Sequence, residues 1–460
     1  MGTQGNVIEH LASALGSGKV IAAADVADDD THDECLTVAG VRPAAVVNVT
    51  STEDVATAMR VCADHGVAVT ARGSGTGLSG ACVPVDGAVI ISFAAMNQIL
   101  EIDADNHLAV VQPGVTLAEL DAALAPLGLS YPVYPGEYSA SIGGNVNTNA
   151  GGMRAVKHGV TRHHILGLEA VLATGEVIRT GGRVVKSSSG YDLTQLIVGS
   201  EGTLALVTEV TVKLTVRATA AATVLAPFAT LEAIVGAIPK IIASGVGPAI
   251  LEYVDLLTMD AMQRQFGFDL GIPAEIQHSA LAYLVVVVES SSDQRLDEDI
   301  AALGELIADL GADDVYVLPA HAAHQLIDGR EKAFWVAKAN GANDIVDVAV
   351  PRQALPAFIE TVQQLAAAHG AFIGGCGHAG DGNVHLGIFQ PDDEVRARLL
   401  AALFRSATEL GGVISGEHGI GRAKRSYFLE LTDPAVVALM RRIKTAFDPH
   451  GLLNPGVIFE

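Results

Sequence analysis

Between Gly136 and Gly202 the chain is dense in Gly, Ser, Asn and Thr, and its apolar residues follow little helical periodicity. Such a stretch has poor core-forming power. Glycine accepts either sign of φ and lets the backbone pass close to another object, so many glycines between strand-like pieces suggest backbone wrapped around a ligand. The rest of the chain has to supply the core. Half of its 460 residues are hydrophobic and 17% are charged, which excludes disorder and is ample for two or three domains.

The formal net charge of −24 is spread along the chain. A field of that sign repels phosphate backbones, so no nucleic-acid partner is expected, although a locally positive cleft can still take an anionic substrate. Cys35, Cys62, Cys82 and Cys376 are scattered and form no CxxC pair, as in a reduced, cytoplasmic protein. No basic stretch precedes an apolar one near Met1, so no signal peptide is expected. The most apolar run, Leu284 to Val288, is far short of the roughly 20 residues of a membrane span. Peripheral membrane contact and a homodimer are compatible with this reading.

Local signals divide the chain. Ser51 reads as the N-cap of a helix with Val55, Met59 and Cys62 on one face, closed by Gly66. Val67 to Thr70 then predicts a strand, and Thr116-Leu-Ala-Glu119 is a capping box. Residues 1–40 are expected to form an N-terminal helical segment and residues 41–216 the first large domain. An Ala/Thr-rich join from Val216 to Ala222 opens the second, residues 217–460. There Leu296, Ile300, Leu303, Ile307 and Leu310 form a helical stripe ending at Gly311. Leu281–Glu289, Asp314–Leu318, Ile345–Val350 and Ala371–Gly374 are candidate strands. The mixed order predicts an α+β domain with an antiparallel sheet and helices on one sheet face. No internal repeat is visible.

Gly75-x-Gly77-x-x-Gly80 fits the dinucleotide fingerprint, but that motif needs a helix starting at the loop. Here the loop runs through Ala-Cys-Val-Pro84 into a strand-like Ala88–Phe93, so a Rossmann unit is excluded. Four glycines with interleaved hydroxyls can still form a nest of backbone N–H groups for phosphate. A second loop, Pro135 to Gly152, adds Gly, Asn and Ser suited to a large polar cofactor.

Together Arg72–Pro84, Pro135–Gly159, Ser187–Asp192 and Gly199–Val207 resemble the two-part FAD-binding domain of the vanillyl-alcohol oxidase/p-cresol methylhydroxylase superfamily, over roughly residues 40–215. The resemblance implies that Arg72, Gly73, Ser74, Gly75, Thr76, Gly77, Leu78 and Ser79 bind the FAD pyrophosphate. It also implies that Pro135, Gly136, Ser139, Ser141, Ile142, Gly143, Gly144, Asn145, Asn149, Gly151 and Gly152 line the cofactor, with His158, Gly159, Glu201, Gly202 and Val207. His158 stands where the noncovalent subgroup often carries Tyr, so noncovalent FAD is expected.

The strongest signal for chemistry is Gly377-His378-Ala-Gly-Asp-Gly-Asn-Val-His385. Asp381-Gly382 favours a two-residue hairpin turn, which would set His378 directly opposite His385, close enough for two imidazoles to hold one ion. Ser415-Gly-Glu-His-Gly-Ile-Gly421 follows. Adjacent side chains point apart, so Glu417 is assigned as the third metal ligand and His418 as the general base. His₂Glu suits Zn²⁺ first, with Mn²⁺ and Fe²⁺ also compatible.

With these segments and Phe447-Asp-Pro-His-Gly-Leu-Leu-Asn-Pro-Gly456, nearly the whole chain resembles the FAD-linked 2-hydroxy acid dehydrogenases, the family of D-lactate dehydrogenase, D-2-hydroxyglutarate dehydrogenase and the flavin-binding chain of glycolate oxidase. The resemblance implies that the last residues, Asn454 among them, return to the flavin, and that Arg330 holds the substrate carboxylate. It further implies that His418 takes the hydroxyl proton beside a divalent metal while hydride passes from C2 to flavin N5. The D-configuration comes from it alone. Hydroxyglutarate enzymes place Thr, Lys and Asn near Phe334, Ile345 and Gly387 to hold a distal carboxylate, and this chain has none of these groups. A short or apolar side chain, as in D-lactate, is therefore expected, with hydroxyglutarate or glycolate as the alternative. The electron acceptor is left open among a quinone, a cytochrome, an electron-transfer flavoprotein and oxygen. From other classes, a metallohydrolase would leave the glycine loops unexplained, and a noncatalytic flavin protein would not bleach with substrate.

Overall fold

The structure, a computed structural model, describes residues 3–459. Its first sheet has four strands in the order Val20–Ala22, Ala45–Asn48, Val89–Ser92, Val69–Arg72; the last three run parallel and the first antiparallel to its neighbour. Ala45-Val-Val and Val89-Ile-Ile are unbroken apolar runs, as strands covered on both faces should be. The helix Thr52–His65 packs here, with Ser51 Oγ accepting the Asp54 N–H and Gly66 (φ 61°) ending it. Val55, Met59 and Cys62 are buried, as their spacing predicts. The segment expected to be helical yields the helix Thr3–Leu15 but also the strand Val20–Ala22, which extends this sheet.

The second sheet is antiparallel: Ile99–Asp103, Leu108–Val111, Leu206–Lys213, Ile165–Val171, Val177–Gly181. The glycine-dense stretch runs around it and is not free of helix, since Ile142–Thr148, Ala155–His158 and Leu193–Ile197 are helical. Each is two turns or fewer, too short for a 3.6-residue period to show. Ser141 caps the first and Asp192 the last.

The third sheet has seven antiparallel strands in the order Tyr316–Val317, Ala220–Phe228, Ala282–Ser290, Ile250–Asp255, Phe372–His378, Asn383–Phe389, Asp344–Ala349. Helices cover both its faces, not one. Leu231–Ala243, Asp293–Asp309, Leu355–Ala368 and Asp393–Glu409 bury one face around Phe228, Tyr253 and Phe358. Leu256–Phe266, Ala320–Glu331 and Ala333–Ala339 cover the other around Met259, Met262 and Tyr283. The run Ala282 to Val288 is buried throughout, whereas a strand with one wet face would alternate.

After the third sheet the chain returns to the first. Val69 donates to Leu452 O at 2.8 Å and Asn454 N–H donates to Val69 O at 2.7 Å, so residues 452–454 extend the sheet edge.

Candidate functional site

No helix follows the Gly75–Gly80 loop, which turns directly toward the strand Val89–Ser92. The loop forms one wall of a cleft, with Ser141, Gly143, Gly144 and Asn145 opposite and Glu201, Gly202, Val207 and Asn454 at the base. Ser74 Oγ donates to Ser139 O across the cleft mouth at 2.6 Å. A side chain at Gly73 would put its Cβ 2.3 Å from Ser141 Oγ, so only glycine allows this approach.

Two features fit an FAD in this cleft. The backbone N–H groups from Ser74 to Leu78 have no acceptor among the described residues, which leaves a nest for phosphate oxygens. Asn145 is buried and lines the cleft, and its Nδ2 is without a hydrogen-bond partner. Asn454, at φ 46°, donates to Ala81 O and Glu201 O and so fastens residues 452–456 beneath the cleft.

Not every sequence-assigned residue faces this space. The Arg72 guanidinium folds back to the carbonyls of His32 and Asp29 and to Asp30. Ile142 is core, and Asn149 caps the Ile142–Thr148 helix in the left-handed conformation. Gly136 and Gly152 line a second cavity instead. Gly151 allows the close approach of Glu417, since a Cβ there would sit 2.6 Å from Glu417 Oε2. His158 and Gly159 line neither cavity. The His158 carbonyl accepts from His164 Nε2, and burial pulls the His158 imidazole down to about 4.

The second cavity, about 360 Å³, lies under the third sheet and is lined by His378, His385, Glu417, His418 and Arg330. The hairpin that carries the two histidines differs from the expected one. Its turn takes four residues, Ala379–Gly382, because Val350 N–H bonds Gly382 O and Gly382 adopts φ 76° against that strand. His378 therefore lies opposite Asn383, and His385 opposite Cys376. A register shift of two keeps both histidines on one face, where one of one would have separated them. They are diagonal neighbours with ring centroids 4.7 Å apart.

His378 Nε2 and His385 Nε2 each stand 3.1 Å from Glu417 Oε1, and one ligand atom from each residue falls within 4.8 Å of the others. His385 Nε2 has no hydrogen-bond partner. Two imidazoles and a carboxylate converging on one point are a fitting donor set for a divalent ion. Burial opposes charge on His378, but Glu252 and Glu417 outweigh it and hold the imidazole up at about 10. Burial likewise opposes charge on Glu417, and the two histidines hold its carboxyl well below the usual range.

His418 points elsewhere, as neighbours should. Burial pulls its imidazole down to about 4, with Lys424 and His385 acting in the same direction. Its Nδ1 lies 3.6 Å from Asp347 Oδ1 and has no hydrogen-bond partner. Asp347 is fully buried and accepts the backbone N–H groups of Glu417 (2.7 Å) and His418 (2.8 Å), a Ser415 hydroxyl and the Lys424 ammonium. Burial alone would raise its carboxyl, yet His418, Lys424 and these donors hold it at about 2. Asp347 thereby fixes the backbone that presents both Glu417 and His418.

Arg330 is buried, and its Nη2 pairs with Glu252 Oε2 at 2.5 Å. Its Nε has no hydrogen-bond partner. The other Glu252 oxygen takes His378 Nδ1 at 2.6 Å, so one carboxylate links the guanidinium to an imidazole of the candidate metal site. Sequence reasoning missed Glu252, Asp347 and Lys424 as site residues. The available signal was an acid inside an apolar strand, Ile250-Leu-Glu-Tyr-Val254, since a charge buried there must be paired.

Two family models match the chain: an FAD binding domain over residues 43–181, and the C-terminal domain of FAD linked oxidases over residues 217–458. A Mycobacterium tuberculosis protein named uncharacterized FAD-linked oxidoreductase is 56% identical over 450 residues, 98% of each chain. The D-lactate dehydrogenase of Anaerostipes hadrus is 35% identical over 456 residues, 96% of this chain and 94% of the relative. The solved structure of p-cresol methylhydroxylase with substrate bound shares the fold, with a TM-score of 0.80 at 18% identity over 99% of this chain and 96% of its own. The glycine loops, the antiparallel third sheet and these matches agree, and the chain belongs to the FAD-linked oxidases, as an FAD-linked oxidoreductase of the 2-hydroxy acid dehydrogenase group.

Proposed function

We propose that this protein oxidises a D-2-hydroxy acid with a single carboxylate and a short or apolar, D-lactate-like side chain to the 2-oxo acid, with noncovalent FAD and a divalent metal. One observation carries this reading: the FAD cleft and the His/Glu/Arg cavity meet at Glu417 and His418, which line both. A substrate in the second cavity would therefore be next to a cofactor in the first.

Arg330, its Nη2 held by Glu252, offers its unpartnered Nε to the substrate carboxylate, a charge-assisted hydrogen bond. His418, neutral because burial disfavours its charge, accepts the C2 hydroxyl proton. His378, His385 and Glu417 would hold the metal, Zn²⁺ first by donor type, with Mn²⁺ and Fe²⁺ compatible. When bound, FAD supplies a hydride acceptor and the metal a Lewis acid for the substrate oxygens. His158 stands outside the cleft lining, which supports noncovalent attachment. The four free cysteines support a cytoplasmic setting, and among the described residues no helix is long and apolar enough to cross a membrane.

The test is an anaerobic visible spectrum of the purified protein before and after each of D-lactate, L-lactate, glycolate and D-2-hydroxyglutarate. The flavin bands are expected to bleach with D-lactate, and to resist it after chelation or in His418→Ala, slowed by about 100-fold or more. Flavin bands that none of these acids bleaches would remove the hydroxy-acid assignment.

A further inference from the structure

The cavity does not end at the metal site. Along the face of the third sheet that carries His378 and His385, the paired strands Phe372–His378 and Asn383–Phe389 place Cys376 next, then the directly opposed Gly374 and Gly387, then the opposed Phe372 and Phe389. The two phenyl rings meet at a tilt of 47° with centroids 5.3 Å apart and lean back over the glycines. A Cβ at Gly374 would lie 3.1 Å from Phe372 Cζ, and one at Gly387 would lie 3.3 Å from Phe389 Cε2. The glycine pair thus leaves room for aromatic carbon to form a floor. Ile345, across from Gly387 on the neighbouring strand, continues that floor sideways.

Helices supply the walls. Phe334 and Ala337 come from Ala333–Ala339, and Leu257 and Ala261 from Leu256–Phe266. Beyond Arg330 and the metal-site residues, Asp260, Arg264 and Glu331 are the charged groups on the lining. Asp260 and Arg264 pair with each other at 3.3 Å at the exposed rim. Glu331, at the other end beside Gly136, takes the Tyr134 hydroxyl. Among the described lining residues of this arm the cation is Arg264, already paired at the rim, and none stands inside to meet a second carboxylate. From His385 to Phe389 the strand advances four residues, roughly 13 Å, and the leaning rings shorten the usable length.

Resting on the proposed oxidation of a 2-hydroxy acid at this site, we infer that the groove over Gly374 and Gly387 selects substrates with a side chain of about four to six carbons or an aromatic ring, in preference to lactate. The chemistry balances as for any 2-hydroxy acid. The alcohol loses its C2 hydrogen with the bonding electron pair and its hydroxyl proton, giving the 2-oxo acid. The two electrons go to the bound flavin and on to an external electron acceptor. A methyl group leaves the groove filled with water. Each methylene moved from water onto apolar carbon should tighten binding by about fourfold.

Calorimetry of the FAD-loaded protein with the product acids tests this without turnover. Pyruvate, 2-oxohexanoate, 2-oxooctanoate, phenylpyruvate and 2-oxoglutarate would be titrated, in parallel with anaerobic flavin bleaching by the matching D-2-hydroxy acids. The expected Kd falls at least tenfold from pyruvate to 2-oxohexanoate, and phenylpyruvate binds in the tighter range. Ala337→Leu keeps a good helix former on its helix and fills the space beside Gly387, where a Cβ would already lie 3.5 Å from Ala337 Cβ. It should reduce the chain-length gradient to threefold or less. A flat Kd series in the wild type, or tightest binding of 2-oxoglutarate, overturns the groove assignment even if D-lactate bleaches the flavin. If no hydroxy acid bleaches the flavin, the proposed oxidation fails. The groove then stands or falls on the calorimetric gradient alone.

Discussion

Glu252 has no exposed surface, and its two oxygens face two cations, the His378 imidazole and the Arg330 guanidinium. With Nδ1–H held by Glu252, a metal ion binding there would displace the proton on Nε2, leaving that lone pair directed toward Glu417 and His385, the tautomer a metal ligand needs. Glu252→Gln is expected to weaken Zn²⁺ or Mn²⁺ binding by about 10- to 100-fold. Titration of the chelated protein with metal, followed by calorimetry, checks this. An unchanged Kd would mean that the carboxylate serves Arg330 alone. The same residue shows where single-letter reading stops. Glu417 and the histidines were legible because their glycine-rich surroundings left them no structural task. Glu252 sits in a strand whose other residues all read as core, and nothing local announces its partners 78 and 126 positions away, the first difference being 330 − 252.

At the level of elements, the turn 199–202 and the loop 415–421 come from different sheets and are joined through Glu201. Its carboxylate accepts the N–H groups of Ile420 and Gly421, both at 2.8 Å. Burial pushes that carboxyl up to about 7. The folded-state value lies above the unfolded one of about 4.3, so the folded state binds the proton more tightly. The contribution to stability is full below about 4.3 and is lost as pH rises through about 7. In thermal melts from pH 5 to 8, the wild type should therefore lose ground to Glu201→Gln, and parallel curves would contradict the assignment. Elements with caps and a long period were readable from sequence, as Ser51 to Gly66 and the stripe from Leu296 to Ile307 show. Features set by tertiary contact were not. The four-residue turn at Ala379–Gly382 depends on Val350, and which helices cover the second sheet face is decided by packing between distant segments, although the unbroken apolar run Ala282 to Val288 already carried the signal of a two-sided cover.

In the whole molecule, the FAD cleft belongs to the first two sheets and the second cavity to the third, and they share Leu78, Pro135, Glu417 and His418. A cofactor seated there contacts both halves, so it should stabilise them together by linkage, about 4 kcal/mol at a thousandfold excess over Kd. Calorimetric scans are expected to show one transition for the FAD-loaded protein, and a lower melting temperature once flavin is stripped. Independent melting of the two halves with flavin bound would argue against a shared site.

The return of residues 452–454 to the strand Val69–Arg72 bears on how the protein is made. Thr70 and Asn454, in contact when folded, are 384 positions apart. At ribosomal speeds of about 5–20 residues per second, the edge strand is synthesised roughly 20 to 80 s before its neighbour exists. Throughout that interval a nascent chain exposes an unpaired strand edge, the kind of surface chaperones guard against aggregation. The base of the FAD cleft arrives only with Asn454, so a product stalled short of it should remain colourless, and loss of yellow colour would mark unfinished chains in a cell extract.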